Sequence, residues 1–323
     1  MAALKRSCLI FLFMIVMTAP VCAADGFSVW IQDMQQEAIA EGIRPETAAL
    51  LSQATLDDRV LELDTKQPES TITFDTYVDR IVSPVRIKRG QELMREHAAV
   101  LREVSRRTGV EPSVIVALWG IESNFGRNGG DYNVVDSLAT LAYEGRRAAF
   151  FRKELLNALR IIDRGQIAAS SMYGSWAGAM GQCQFMPSTY LRHAVSYDGG
   201  NSPDIWDNSS DVFASIANYI VAEGWRGDLT WGREVRVKKT IPPGAIGLDS
   251  RRSLAEWGRM GVRSTHGGAL PNKPLQASLI APDGPGGRYF LVYDNFRALM
   301  RWNRSTYFAT SVGLLSDALK VAH

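Results

Sequence analysis

One carboxylate stands out by its surroundings. Glu122 sits near the end of Val114-Ile-Val-Ala-Leu-Trp-Gly-Ile-Glu-Ser-Asn-Phe-Gly126, a run that is apolar nearly all the way round. Such a run reads as a helix buried on every side. Pro112 suits its first turn and Gly126 its stop, which puts Glu122 in the last turn. Apolar surroundings and the negative end of the helix dipole both disfavour the charged form there. A carboxyl kept protonated near neutral pH is what a general acid at a glycosidic oxygen requires. The competing reading is a structural glutamate that pairs with an arginine or caps a neighbouring segment.

A second chemical stretch is Ser170-Ser-Met-Tyr-Gly-Ser-Trp-Ala-Gly-Ala-Met-Gly-Gln-Cys-Gln-Phe-Met-Pro-Ser-Thr-Tyr190. Gly174, Gly178 and Gly181 allow close backbone approach, while Ser175, Gln182 and Gln184 offer neutral hydrogen-bonding groups. Neutral groups beside aromatics suit an uncharged sugar better than a phosphate; a tightly packed turn with incidental amides is the alternative. Further on, Asp198-Gly-Gly-Asn-Ser-Pro-Asp204 precedes Asp211. Acids alternating with Gly and Asn resemble a calcium loop, but the usual third position is not held.

The elements that must position these groups are mostly helical. Val29, Trp30, Met34, Ala38 and Ile39 recur at helix spacing before Gly42, and a short helix restarts at Ile43 and runs through Leu51. Residues 71–77 read as a short strand or extended connection, in which Tyr77 is more often packed than functional. One helix is expected over 87–108, then helices over 134–143 and 146–163. Phe150, Phe151, Leu155, Leu159 and Ile162 form an apolar stripe on the last of these. A helix is expected over 212–223, irregular strands and turns over 235–291, and helix again over 296–319.

The 46% hydrophobic and 22% charged fractions of this 323-residue chain are ordinary for a soluble globular protein. Lys5 and Arg6, the apolar run Cys8 to Met17, and Thr18-Ala-Pro-Val-Cys-Ala23 describe a signal peptide cut after Ala23. A lipid anchor on Cys22 is the weaker reading, because Val21 stands where a small residue belongs. Cleavage would leave Cys183 alone, so no internal disulfide forms. It would also lower Lys plus Arg from 36 to 34, against 34 Asp plus Glu, for a net charge of zero. That gives no electrostatic case for nucleic acid as a partner. Basic pairs such as Arg106-Arg107, Lys238-Lys239 and Arg251-Arg252 read as solvated faces.

Together these stretches resemble the lytic murein transglycosylase B family (glycoside hydrolase family 103). The resemblance rests on Trp119-Gly-Ile-Glu-Ser-Asn-Phe-Gly126, Leu138-Ala-Thr-Leu141, Gly178-Ala-Met-Gly-Gln-Cys-Gln-Phe-Met-Pro-Ser-Thr-Tyr190, Ala217-Asn-Tyr219 and Arg301-Trp-Asn-Arg-Ser305. It runs from about Phe27 to the end. It implies a mainly α (α+β) fold: a lysozyme-like catalytic core over 111–230, with a helical region over 24–110 packing against 292–323. A small β-containing region over 231–291 completes it.

The resemblance also implies cleavage of the β-1,4 bond between N-acetylmuramic acid and N-acetylglucosamine of peptidoglycan, leaving 1,6-anhydro ends. Glu122 matches the single catalytic acid, and Ser175, Gln184, Tyr219, Tyr77 and Asn303 match positions lining the sugar groove. Trp302 stands where a tyrosine is common, keeping an aromatic platform but losing a hydroxyl. Calcium, which some members bind, has only Asp198, Asp204 and Asp211 to hold it here, so no cofactor is expected. The implied partner is the glycan strand, with wall-synthesis or remodelling proteins as further candidates, and the chain is expected to be a periplasmic monomer. Usual glycosidases use two carboxylates ~5–9.5 Å apart, whereas Asp131, Asp136 and Glu144 carry no special context here. One acid suffices if the substrate supplies its own nucleophiles. A hydrolase of the same fold and a non-catalytic peptidoglycan-binding scaffold are the alternatives.

Overall fold

The computed structural model describes residues 22–65 and 72–320. The leader expected over 1–23 lies outside them, apart from the backbone of Cys22 and Ala23, which opens the first helix. The fold is α+β. An N-terminal group comprises α1 (Cys22–Ala40), α2 (Pro45–Ala48), α3 (Asp58–Thr65), α4 (Phe74–Ile81), α5 (Pro84–Glu96) and α6 (Ala98–Thr108). The middle holds α7 (Pro112–Ser123), α8 (Val134–Glu144), α9 (Ala148–Asp163), α10 (Pro187–His193) and α11 (Ser209–Ala222), with the short pair β1 (Tyr132–Asn133) and β2 (Tyr173–Gly174). Next come β3 (Gly232–Val237), β4 (Arg251–Ser253), α12 (Leu254–Arg259), β5 (Val262–Ser264), β6 (Gln276–Ile280) and β7 (Tyr289–Val292), and then α13 (Asp294–Trp302) and α14 (Thr306–Leu319).

Helix α7 is the axis of the main core. Every residue from Ser113 to Gly120 is buried, against α5, α11 and α14. A Ser113–Ser316 hydrogen bond of 3.0 Å ties it to α14. The helix stops earlier than Gly126, because Asn124, Phe125 and Gly126 take φ of 51°, 60° and 79° in succession. Left-handed backbone is unusual for a bulky residue such as Phe. The turn folds the Phe125 ring back over Gly120, where an added Cβ would lie 2.5 Å from its Cε1. Glycine at 120 is therefore a packing requirement.

Several elements differ from the expectation. Phe27, Ile31, Met34 and Ala38 form the buried stripe of α1, whereas Val29 and Ile39 are exposed. The segment before Tyr77 is helical from Phe74, since the Thr73 hydroxyl accepts from the Thr76 N–H and caps α4. The single helix expected over 87–108 breaks at His97, whose ring packs edge-on against Trp119 and Phe213. Ser83 caps α5 through its hydroxyl and Pro84 takes the N1 position. Phe150 leaves the core stripe of α9: it is 42% exposed, with Arg147 over its ring. The C-terminal helix is two, separated where Ser305 caps α14.

The stretch 232–292 is more regular than expected: a five-stranded antiparallel sheet in the order β4-β6-β7-β3-β5. Leu279 lies opposite Leu291 and Glu234 opposite Phe290. Its own core includes Val235, Leu254, Trp257, Val262, Leu279 and Leu291. Gly120→Ala should destabilise the protein by about 1–3 kcal/mol through overpacking against Phe125, read as a lower urea midpoint with an unchanged m-value.

Candidate active site

Glu122 is the penultimate residue of α7, directly before the left-handed turn. The Ser123 hydroxyl donates to the Trp119 carbonyl at 3.2 Å and accepts from Gly126 N–H at 3.0 Å, which locks the turn. Glu122 itself is part-buried and makes no ion pair with a described residue. Burial pushes its pKa up to about 7, opposed only by one hydrogen bond; no neighbouring carboxylate or guanidinium contributes. The arginine-paired reading of this glutamate is thus not what the structure contains.

That hydrogen bond comes from the indole Nε1 of Trp302, 2.6 Å from Glu122 Oε1, across 180 residues of sequence. Against the tyrosine that the family resemblance implies here, the indole lacks a hydroxyl but keeps a donor. An indole N–H donates and never accepts. Oε1 is then the acceptor whatever the charge on the carboxyl, and since a carbonyl oxygen accepts better than a hydroxyl oxygen, the contact favours the neutral acid with its proton on Oε2. Tyr219 packs edge-on against the Trp302 ring at 4.7 Å, and Phe185 lies tilted against it at 5.4 Å, which fixes the indole plane.

The other expected site residues differ in what they offer. Tyr219 donates its hydroxyl to the Arg301 carbonyl at 3.0 Å, so its ring is the part turned to Trp302. Tyr77 is half-buried on α4 and packs edge-on against Tyr307 at 5.6 Å; burial first, and the nearby Glu122 charge second, raise its pKa. Ser175 Oγ accepts from Ala179 N–H at 3.1 Å, which leaves its proton to donate. Gln184 adopts φ 51° and donates its amide to the Gly129 and Gly181 carbonyls, both at 2.9 Å. Asn303 is exposed, and its Oδ1 accepts from Ser305 N–H at 3.0 Å.

Gln182, read from sequence as a group for sugar, is structural. Its Oε1 accepts from the Trp119 indole at 2.8 Å, and its Nε2 donates to the Trp206 carbonyl at 2.6 Å. Trp302, in contrast, meets the candidate acid, a contact that the sequence motif contained but did not explain. Nothing in Arg301-Trp-Asn-Arg-Ser305 reveals which residue the indole meets.

Residues 26–317 match the family described as the transglycosylase SLT domain. The chain belongs to that family. It is a lytic transglycosylase. Membrane-bound lytic murein transglycosylase B of Escherichia coli is 32% identical over 295 residues, covering 86% of this chain and 79% of that protein. SltB3 of Pseudomonas aeruginosa, crystallised with NAG-anhNAM-pentapeptide, is 43% identical with a TM-score of 0.88, over 91% of this chain and 79% of that one. The E. coli lytic transglycosylase Slt35 in complex with calcium is 29% identical with a TM-score of 0.77, over 90% of this chain and 92% of that one.

Among the described residues no three or more His, Cys, Asp or Glu side chains converge as metal ligands, and the carboxylates of the 198–211 loop are turned to its own backbone. Asp211, buried, accepts from Tyr197 N–H and Asp204 N–H, each at 2.8 Å. Asp204 Oδ1 accepts from Trp206 and Asp207 N–H, and Asp198 Oδ1 from Gly200 N–H. Both oxygens of Asp211 and one each of Asp198 and Asp204 thus accept from the loop's own N–H groups. Chelator should leave the melting temperature unchanged within about a degree. Asp211→Ala should cost about 2–4 kcal/mol, by leaving buried N–H groups without an acceptor.

Trp302→Phe gives the sharper test. The N–H favours the carboxylate, so its loss raises the Glu122 pKa further. The alkaline limb of kcat/KM, expected near pH 7 in the unmodified enzyme, should move up by about one unit as kcat falls. Trp302→Tyr, which restores a donor, should bring the limb back.

Proposed function

We propose that this transglycosylase cleaves the β-1,4 bond between N-acetylmuramic acid and N-acetylglucosamine of peptidoglycan, with Glu122 acting first as acid and then as base. The observation that carries the reading is a carboxyl whose burial raises its pKa to about 7, held by the Trp302 indole and with no ion-pair partner among the described residues. Glu122 donates its Oε2 proton to the glycosidic oxygen as the C1–O bond breaks. The muramoyl acetamido group stabilises the cation developing at C1. Glu122, now a carboxylate, takes the proton of the sugar's C6 hydroxyl while that oxygen bonds to C1. The ring closes as a 1,6-anhydro end, the proton balance returns to the start, and no water is consumed.

The names of the relatives support this reading. The E. coli relative is a murein transglycosylase, and SltB3 was crystallised with both NAG-anhNAM-pentapeptide and NAG-NAM-pentapeptide. Tyr77, Ser175, Gln184, Tyr219 and Asn303 are proposed to line the groove. Within that set, Tyr219 acts by holding Trp302, and Ser175 by donating its free proton. Neutral lining groups fit a sugar chain, whose hydroxyls and acetamides need geometry more than charge. We further propose that the chain is exported to the periplasm, with its leader cut after Ala23, and works as a monomer. No helix of the described residues is long and apolar enough to cross a membrane.

Digestion of purified sacculi should release muropeptides lighter by one water than those from a hydrolase, as weighed by mass spectrometry. Glu122→Gln should lower kcat by about 10²–10⁴-fold or more while binding of the strand survives. Reducing ends in place of anhydro ends would overturn the chemistry, and near-normal turnover by the variant would remove Glu122 from it.

A further inference from the structure

Charge is unevenly divided along the chain. Residues 231–291 carry ten Lys and Arg against four Asp and Glu, whereas residues 24–323 as a whole carry 34 of each. The sheet region is thus at +6 and the remainder at −6. Some of its cations are engaged: Arg288 pairs with Glu234 and Asp75, and Arg251 with Asp294. Arg236, Lys238, Lys239, Arg259, Arg263 and Lys273 make no ion pair with any described residue. The Arg106-Arg107 pair, by contrast, shares Glu103.

These six gather around β5 and α12. Arg236 lies directly opposite Arg263 in the β3–β5 ladder. Like charges facing each other across a pair of strands, with Cβ atoms about 5 Å apart, repel. Lys239 lays its methylenes over Gly261, and Lys238 donates its N–H to the Gly261 carbonyl. Arg259, Arg263 and Lys273 line one cleft of about 460 Å³. Glu256, within electrostatic reach of Arg259, has its carboxylate engaged by the Ser253 N–H and hydroxyl. Arg263 turns its Nη1 onto the Gly258 and Val262 carbonyls, and an external anion would lessen the repulsion that remains.

We infer that the β5–α12 face of the sheet is a docking surface for the free carboxylates of peptidoglycan stem peptides, separate from the groove that cleaves the glycan. The inference rests on the substrate proposed above. A membrane surface fits less well, because the exposed large apolar side chains (Val29, Ile39, Leu63, Val85, Phe150, Tyr173 and Val221) all lie outside this region. Single-stranded nucleic acid would need open aromatic platforms, and Trp231, Trp257, Phe290 and Tyr293 are buried. A cross-linked wall offers many separated carboxylates, and a shallow cationic face suits weak, repeated contact with them.

The test is co-sedimentation with purified sacculi at low ionic strength, in the Glu122→Gln chain so that the wall is not consumed. The changes Arg236→Gln, Lys239→Gln, Arg259→Gln and Lys273→Gln spare Arg263, whose Nη1 holds the Gly258 and Val262 carbonyls. Together they should weaken binding about tenfold and remove most of its salt dependence. Arg236→Lys with Arg259→Lys should retain it. Glycan strands stripped of peptide should show no difference between the parent and the fourfold variant. In the active chain the same four changes should leave cleavage of a short soluble peptide-free oligosaccharide as it was. If that cleavage fails, Lys239→Gln with Lys273→Gln, both exposed, is read the same way, with about a threefold effect expected. Undiminished binding to sacculi, equal loss on stripped strands, or tighter binding to vesicles of phosphatidylglycerol than to sacculi would overturn the inference. Failure of the unmodified chain to cleave sacculi would instead strike the proposed activity.

Discussion

A carboxyl held uncharged by partial withdrawal from water, yet facing one hydrogen-bond donor among the described residues, is the constraint on which this molecule turns. Desolvation carries the Glu122 pKa from 4.5 to about 7, and the indole of Trp302 pulls the other way. The balance has a thermodynamic consequence. A folded-state pKa raised above the unfolded value means that the folded protein holds the extra proton between about 4.5 and 7. Stability from this group is therefore complete below that window and is lost as pH rises through it. The site trades stability on the alkaline side for an acid poised to donate near neutrality.

Holding that balance requires parts far apart in sequence. The left-handed run at Asn124, Phe125 and Gly126 turns the chain sharply after the acid, and the Phe125 ring closes over Gly120. Gln182 ties the Trp119 indole to the carbonyl of Trp206, so the glycine-rich segment cannot drift from α7. Phe185 and Tyr219 press on Trp302 from two other segments. Backbone strain at Phe125 and at Gln184 (φ 51°) lies beside the chemistry, where surrounding packing is dense enough to hold it.

The buried run around Glu122 was legible in the sequence because a helix that is apolar on every side must be surrounded by other apolar surface. The fold class, the enzyme class and the family followed from several long motifs in one order. What could not be read were contacts made at long range or by short-range capping. Thr73 turns an extended-looking approach into a helix with one hydroxyl, and His97 splits a continuous helical pattern by inserting its ring against Trp119 and Phe213. The roles of Gln182 and Trp302 were hidden for a related reason. An amide or an indole does not declare its partner, and here each partner lies 63 or 180 residues away.

Two regions of this molecule treat charge in opposite ways, and the difference follows from what each must hold. Around Glu122 the groups are aromatic rings, amides and hydroxyls, and a strong fixed charge there would move the very pKa on which the acid depends. The Asp198–Asp211 loop keeps to the same rule, directing its carboxylates onto its own N–H groups so that no ion is needed to neutralise them. Cations gather instead on the sheet around β5, where Arg236 and Arg263 face each other without a carboxylate between them. Attraction for an anionic polymer placed in the groove would bind substrate and product alike and shift the acid. Placed on the sheet, it can draw the polymer close without touching the proton transfer, since the interaction is screened within about 8 Å at physiological ionic strength.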